Sequence, residues 1–441
     1  MLTDSIFFNE MKLLKNSHSN LFWMVFQVKK KMVVFFLTLF FVAPSFIADD
    51  WPCWRGPKGN GTSTEANWNP ASLAKTTSIL WNTNVGMGHS AAVIKGNFLY
   101  ITGNQQLREN EYEDKVYCLN AVTGKTIWTY TYPCPEGEDP GPAATPLLDE
   151  NCLYTLSREG HLFCFESSSG KILWKRNLIK EDLADESSYS FASSPIVSEN
   201  LLILNVNQSG MAFDKHSGKV VWNSPKKKST TASPVLYTQQ NRIIAVTNSD
   251  KQFNGVDVQT GEVKWTFKCG WGGADPVIFE DKLLITGQHT ILLDLKQDQP
   301  VEVWRNKEIS WQFQSCAIKD NAAYGFAKVI DWSKDKRQDF NCLDLRTGKR
   351  LWKQVFSIWG SSIIAADKIL ILTGQGKLLA ASASPSGFNE IAGAQVIKMA
   401  GHDKSQGYRR ECYCWTNPVL ANGLIYCRNS FGELVCVDAR L

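Results

Sequence analysis

A nine-residue phrase recurs along the chain and restricts its fold more than any other feature. It reads Asn120-Ala-Val-Thr-Gly-Lys-Thr-Ile-Trp128, Glu166-Ser-Ser-Ser-Gly-Lys-Ile-Leu-Trp174 and Asp214-Lys-His-Ser-Gly-Lys-Val-Val-Trp222. It returns as Asp257-Val-Gln-Thr-Gly-Glu-Val-Lys-Trp265 and Asp344-Leu-Arg-Thr-Gly-Lys-Arg-Leu-Trp352. Trp304 ends a degenerate copy with Pro300 at the glycine position, a second degenerate copy runs over 393–397 with Ile397 for Trp, and Trp81 completes the set. The markers at 81, 128, 174, 222, 265, 304, 352 and 397 lie 39 to 48 residues apart. A period of about 40–50 residues built from short β-branched and aromatic runs predicts a β-propeller of four-stranded blades. Each part of the phrase has a structural reason. The Asp or Asn side chain can cap the turn, and Gly124, Gly170, Gly218, Gly261 and Gly348 supply a positive φ that a Cβ resists. The Trp then buries a large surface between blades.

The ends of the repeat predict how the ring closes. The chain stops at Leu434-Val-Cys-Val-Asp438-Ala-Arg-Leu441, where a glycine turn and a Trp strand are due. Residues 79–81 supply that strand from the other end, which removes both open sheet edges. The count is then eight blades over 76–441, or seven if 393–397 is an insertion.

Upstream, Lys29, Lys30 and Lys31 precede an apolar run over 32–43 and small residues through Ala48. This pattern reads as a signal peptide within 1–48, with Met24 an alternative start. The run is shorter than the ~20 residues of a membrane span. Residues 49–75 form a leader expected to pack on the propeller. A periplasmic or secreted location follows from this reading and permits disulfides. Even so, Cys118, Cys164, Cys342 and Cys436 occupy one repeat position that elsewhere holds Ala212 or Gly255. They read as small buried packing residues. Cys412 and Cys414 are the better candidates for chemistry, but no Cys-x-x-Cys or His cluster suggests a metal.

The phrase resembles the tryptophan-docking motif of the pyrroloquinoline-quinone-like propeller superfamily. The resemblance covers 76–441, and Asp50-Trp-Pro-Cys-Trp-Arg-Gly-Pro57 is similar to the leader of exported bacterial members. That superfamily contains quinoprotein dehydrogenases and the propeller lipoprotein of the outer-membrane protein assembly machinery, so the fold alone leaves function open. The dehydrogenase branch implies adjacent cysteines over the cofactor and acidic Ca²⁺ ligands. Here Tyr413 separates Cys412 from Cys414. The lipoprotein branch implies a lipidated Cys after the signal peptide, and the residues before Cys53 are not a lipobox.

Candidate site residues come from the repeat geometry. One position per blade should line the axis: Ala91, Thr145, Ser194, Ser233, Asp275, Ser315, Ser361 and Asn417. Crowding alone accounts for small side chains there. Asp275 carries the one charge and is a candidate ligand for a cation or polar group. The loops entering these strands carry Phe191, Trp271, Trp311, Phe313, Trp359 and Trp415, either as blade packing or as a recognition surface. The sharper expectation is that Trp271, Trp311, Trp359 and Trp415, over a channel mouth holding Asp275, form the binding face. Tyr408-Arg-Arg-Glu411 would add a charged lip, while Lys226 to Lys228 read as a solvated loop.

The net charge of +4 excludes a strongly basic nucleic-acid binder. Six scattered His and no phosphate loop give no catalytic constellation. The expected function is therefore a non-catalytic exported binding or scaffolding propeller, monomeric, without cofactor, with a protein or polymer partner in the cell envelope. The alternative is an alcohol or sugar dehydrogenase using pyrroloquinoline quinone and Ca²⁺.

Overall fold

The computed structural model describes residues 50–440 apart from 75–78, 136–140, 186–189, 250, 312–313, 328–337 and 399–413. The signal-peptide reading, Phe313, Cys412 and the 408–411 lip lie outside the described residues. Strand pairing gives eight sheets, each built on a four-stranded antiparallel blade of a propeller, with a fifth strand added to one of them. Blades 1 to 7 span 93–133, 147–177, 196–223, 235–268, 277–306, 317–356 and 360–395. Blade 8 joins Val419–Ala421, Leu424–Arg428 and Glu433–Asp438 to Ile79–Asn84. The closing register places Ile79 opposite Val437 and Trp81 opposite Cys436, so the two ends of the repeat share one blade.

The recurring phrase forms the seams between blades. A Cβ on Gly124 would lie 2.7 Å from the ring of Trp81, and Gly170, Gly218, Gly261 and Gly348 face Trp128, Trp174, Trp222 and Trp304 in the same way. All five glycines have a positive φ, so both the turn and the indole require them. Each indole N–H donates to the carbonyl just beyond the phrase's first residue: Trp81 to Ala121, Trp128 to Ser167, Trp174 to Lys215, Trp222 to Val258 and Trp304 to Leu345. A tyrosine often shares that carbonyl. Tyr100, Tyr154 and Tyr426 donate to Ser167, Lys215 and Ala121.

The small repeat position now has a cause. Cys118, Cys164, Ala212, Gly255, Cys342 and Cys436 each sit directly opposite the docking Trp of their own blade. A Cβ on Gly255 would lie 2.1 Å from Trp265. The four cysteines at this position are buried and reduced, and burial pushes the thiols of Cys118, Cys342 and Cys436 up to about 12. They are packing groups.

Two seams depart from the pattern. Pro300 replaces the glycine facing blade 4, and Trp265 turns inward to donate to Tyr237 Oη at 2.7 Å. Gln239 Nε2 takes over the vacated carbonyl, donating to Leu295 O at 3.2 Å and to Gln297 O at 2.6 Å. In blade 7 the register places Ala392, opposite Ala380, at the docking position. The expected marker at Ile397 is thus corrected: the strand bulge sets the register, and Ile397 lies beyond the strand end. Ala392 and Ala394 instead pack on the core cluster that contains Leu73 of the leader. Leu73 belongs to a short 3₁₀ turn, Pro70–Ala74, lying against the strand Glu390–Gln395. The leader thus fills the seam where the tryptophan is missing.

The leader makes backbone bonds to the innermost strands of blades 1, 2 and 7. Trp51 exchanges hydrogen bonds with Ile94, and Pro52 O accepts from Leu148 N. Thr62–Ser63 adds a parallel strand to Gly360–Ala365 of blade 7. Glu65 then accepts from Asn422 and Gly423 N, and Asn69 N donates to Ala439 O.

Candidate functional site

The axial positions of blades 1 to 6 are linked by a chain of hydrogen bonds. Ala91 N donates to Thr145 Oγ1 at 2.8 Å, Thr145 N to Ser194 Oγ at 2.9 Å, and Ser194 N to Ser233 Oγ at 3.0 Å. Ser233 N continues to Asp275 Oδ1 at 2.6 Å, and Asp275 N to Ser315 Oγ at 2.8 Å. Crowding explains small residues at this position. The chain adds a chemical demand in blades 2 to 6, where Thr145, Ser194, Ser233, Asp275 and Ser315 each accept the N–H of the preceding blade. Asp275 meets that demand with a carboxylate where its neighbours use hydroxyls.

Asp275 is also held from the leader. Trp54 Nε1 donates to Oδ2 at 2.8 Å, and Ser315 Oγ donates to the same oxygen at 3.0 Å. Arg55, fully buried beside it, donates through Nη2 to Cys316 O and Asn60 O. Burial lowers the pKa of this guanidinium, and the charge of Asp275 opposes that shift. The local chain is built for this contact. Gly56, at φ +86°, lies under the Trp51 ring, where a Cβ would come within 2.9 Å. Cys53 Sγ donates to Gly56 O. No signal in the repeat pointed to Trp54 or Arg55, since the leader lies outside the period.

The aromatic residues of the entry loops separate into two groups. Trp311 is 1% exposed and packs over Gly325 and Cys316 in the core of blades 5 and 6. Phe191 is likewise buried, against Gly160 and Leu178. Trp359 is 8% exposed and meets Trp415 edge-on, with ring centroids 4.3 Å apart. Trp415 and Trp271 are half-buried, and Gln314 Nε2 anchors the Trp415 carbonyl at 3.0 Å. The structure brings Trp359 and Trp415 together, assigns Trp311 to packing, and leaves Trp271 and Trp415 at the surface. Lys226 to Lys228 are exposed.

A second polar cluster lies between blades 1 and 2. The carboxylate of Asp114 is fully buried and accepts from Asn104 Nδ2 at 2.8 Å and from Tyr132 Oη at 3.3 Å. Burial pushes its pKa up, against the hydrogen bonds of Asn104, Cys134 and Tyr132 and the nearby charge of Arg158. A raised folded-state pKa means that the proton favours the folded chain. That contribution is complete below the usual carboxylate range and is lost as pH rises through the raised value. Urea unfolding of the wild type and Asp114→Asn should therefore converge at acidic pH, with the wild type losing ground to the variant toward pH ~8. A constant difference between the two across this range would exclude a raised pKa for Asp114.

Among the described residues no three His, Cys, Asp or Glu gather as a metal ligand set.

Comparison with known proteins bears on this geometry. The family model described as outer membrane protein assembly factor BamB matches residues 133–354. Tetrathionate hydrolase of Acidithiobacillus ferrooxidans is 25% identical over 36% of this chain and 32% of its own. The dehydrogenase subunit of alcohol dehydrogenase (quinone) from Gluconacetobacter polyoxogenes is 26% identical over 34% of this chain and 22% of its own. The chain thus spans a third or less of the length of these curated relatives. The crystal structure of BamB from Moraxella catarrhalis superposes with a TM-score of 0.57, at 14% identity, over 82% of this chain and 99% of that one. This last likeness is one of fold.

Proposed function

The chain belongs to the family of the outer membrane protein assembly factor BamB, and from that premise we propose that it is a non-catalytic binding propeller of the cell envelope. Its partner is a protein, bound by the loop face that carries Trp271 and Trp415 with Trp359 beneath. The observation that carries this reading is the state of Asp275. Both of its oxygens are engaged, by Trp54, Ser233 and Ser315. A Ca²⁺ ion takes roughly six to eight oxygen ligands, whereas three donors already occupy most of the acceptor sites of this carboxylate. This supports reading Asp275 as part of the structural hydrogen-bond chain rather than as a Ca²⁺ ligand.

The loop face suits recognition on physical grounds. Half-buried tryptophans held by packing beneath them lose little entropy on binding and are enriched among residues that dominate interfaces. The family description, an outer-membrane assembly factor, favours a protein partner over a small molecule. Export through the 1–48 segment is part of the same proposal.

Affinity capture from solubilised cell envelope tests it with two baits, wild type and Trp415→Ala. A partner retained by the wild type should fall by about tenfold or more with the variant, as loss of a hot-spot side chain requires. Equal recovery with both baits would remove Trp415 from the interface.

A further inference from the structure

The leader passes through the axis of the propeller rather than around it. Trp51 exchanges backbone hydrogen bonds with Ile94 of blade 1, and Pro52 O accepts from Leu148 N of blade 2. Two residues later Trp54 Nε1 donates to Asp275 Oδ2 at the head of blade 5, and Arg55 Nη2 donates to Cys316 O at the head of blade 6. In a ring of eight blades, blade 1 faces blade 5 across the axis and blade 2 faces blade 6. Two residues span at most about 7 Å, too little to go round blades 3 and 4, so this stretch is a chord across the channel. Gly61 N donates back to Arg55 O at 2.8 Å, and the folded loop turns the chain out toward blade 7.

The end of entry follows from the strands. Ile364, Ala365, Asn422 and Gly423 hold the outgoing leader at or just beyond the ends of the innermost strands of blades 7 and 8. Asp275 and Cys316 lie just before the starts of theirs. Trp54 and Arg55 thus reach up the channel to the axial hydrogen bonds from the end opposite Trp271 and Trp415. The hold has the form of peptide recognition, with extended backbone on strand edges and side chains in polar seats. It is also incompletely satisfied. Arg55 is fully buried, yet its Nε and Nη1 meet no acceptor among the described residues. A buried donor left unpaired penalises the docked state.

We propose that this end of the channel is a peptide-binding site, occupied by the chain's own leader as a tethered competitor. The ligand class is an extended peptide carrying Trp followed by Arg. Asp275 seats the indole N–H, the Cys316 carbonyl seats the guanidinium, and the free edge of Gly360–Ala365 takes the strand that follows. Leu73, buried in the seam of blades 7 and 8, keeps the leader attached when residues 50–65 withdraw. The tether gives the resident segment a high effective concentration, so a free peptide wins only when the resident one is weakened. The site lies at the opposite end of the channel from the loop face and is independent of the partner-binding reading.

The test titrates a fluorescein-labelled peptide of residues 50–65 into the full chain and into the full-length Trp54→Ala/Arg55→Ala variant, read by anisotropy. The variant, folded by its melting temperature, should bind the peptide saturably and at least about tenfold more tightly than the wild type. A labelled peptide carrying the same two changes should bind neither chain, and Trp415→Ala should leave peptide binding unchanged. Trp54→Phe, which removes only the indole N–H, replaces the double variant if that one does not fold. Equal binding by wild type and variant would place the peptide elsewhere and overturn the proposal. Failure of every folded variant to bind would do the same. Hydrogen exchange of the wild type gives a second reading: residues 50–65 should open locally and exchange faster than Gly360–Ala365. Equal protection of the two segments would make the leader a permanent part of the fold and also overturn the proposal.

Discussion

Replacing Leu73 by alanine lowers the stability of the whole propeller by about 2–5 kcal/mol, the range for truncating a large buried aliphatic side chain. The size of the effect follows from its position. Six seams are held by a tryptophan docked on the following blade's turn. At the seam between blades 7 and 8 that tryptophan is Ala392, and the surrounding core is completed by Leu73, which is fully buried. The seam lies next to the blade that closes the ring, so loosening it weakens the contact between the first and last strands of the repeat. Leu80 provides the control. It is exposed on the outer strand, and Leu80→Ala should stay within about 0.5 kcal/mol of wild type. Urea unfolding of both variants checks the pair. A Leu73→Ala cost below about 1 kcal/mol would mean that the leader merely lies on the surface.

The second large effect separates two tryptophans that look alike in sequence. Trp311→Ala should cost about 3–5 kcal/mol, because its buried indole fills the core between blades 5 and 6. Trp415→Ala removes a half-buried ring and its edge contact with Trp359, a loss of about 0.5–1.5 kcal/mol beyond its area. Thermal unfolding should therefore show a severely destabilised Trp311 variant and a nearly normal Trp415 variant. Partner capture should show the reverse specificity: the Trp415 variant is folded and fails to bind. A large fall in melting temperature for Trp415→Ala would class it with Trp311 as packing.

The contrast shows what the sequence discloses. The repeat fixes a local environment, so the glycine turns, the docked indoles, the blade count and the closing pair at Trp81 and Cys436 were all legible. Blade 7 was misread by five residues because its docking position is an alanine inside a bulged strand, where no side chain marks the register. The leader is legible as a packing segment, but its individual contacts are not, for a related reason. It contributes single residues (Trp54, Leu73, Glu65) to partners hundreds of positions away, and nothing periodic announces such contacts. The axial ring was found by position but not by chemistry. Small residues in register suggest crowding, whereas the chain of N–H to hydroxyl bonds needs coordinates to be seen. The same holds for Asp275. A lone carboxylate in a polar ring invites a cation, and only the donors around it show how its charge is used.

The most direct measurement is therefore a titration of the purified full chain with pyrroloquinoline quinone and Ca²⁺, followed by absorbance and by dye-linked oxidation of alcohols and sugars. With Asp275 held by Trp54, Ser233 and Ser315, the expected result is no saturable quinone binding and no substrate-dependent dye reduction. Stoichiometric quinone uptake with saturable alcohol or sugar oxidation would contradict the assignment of a binding propeller and make the protein an enzyme.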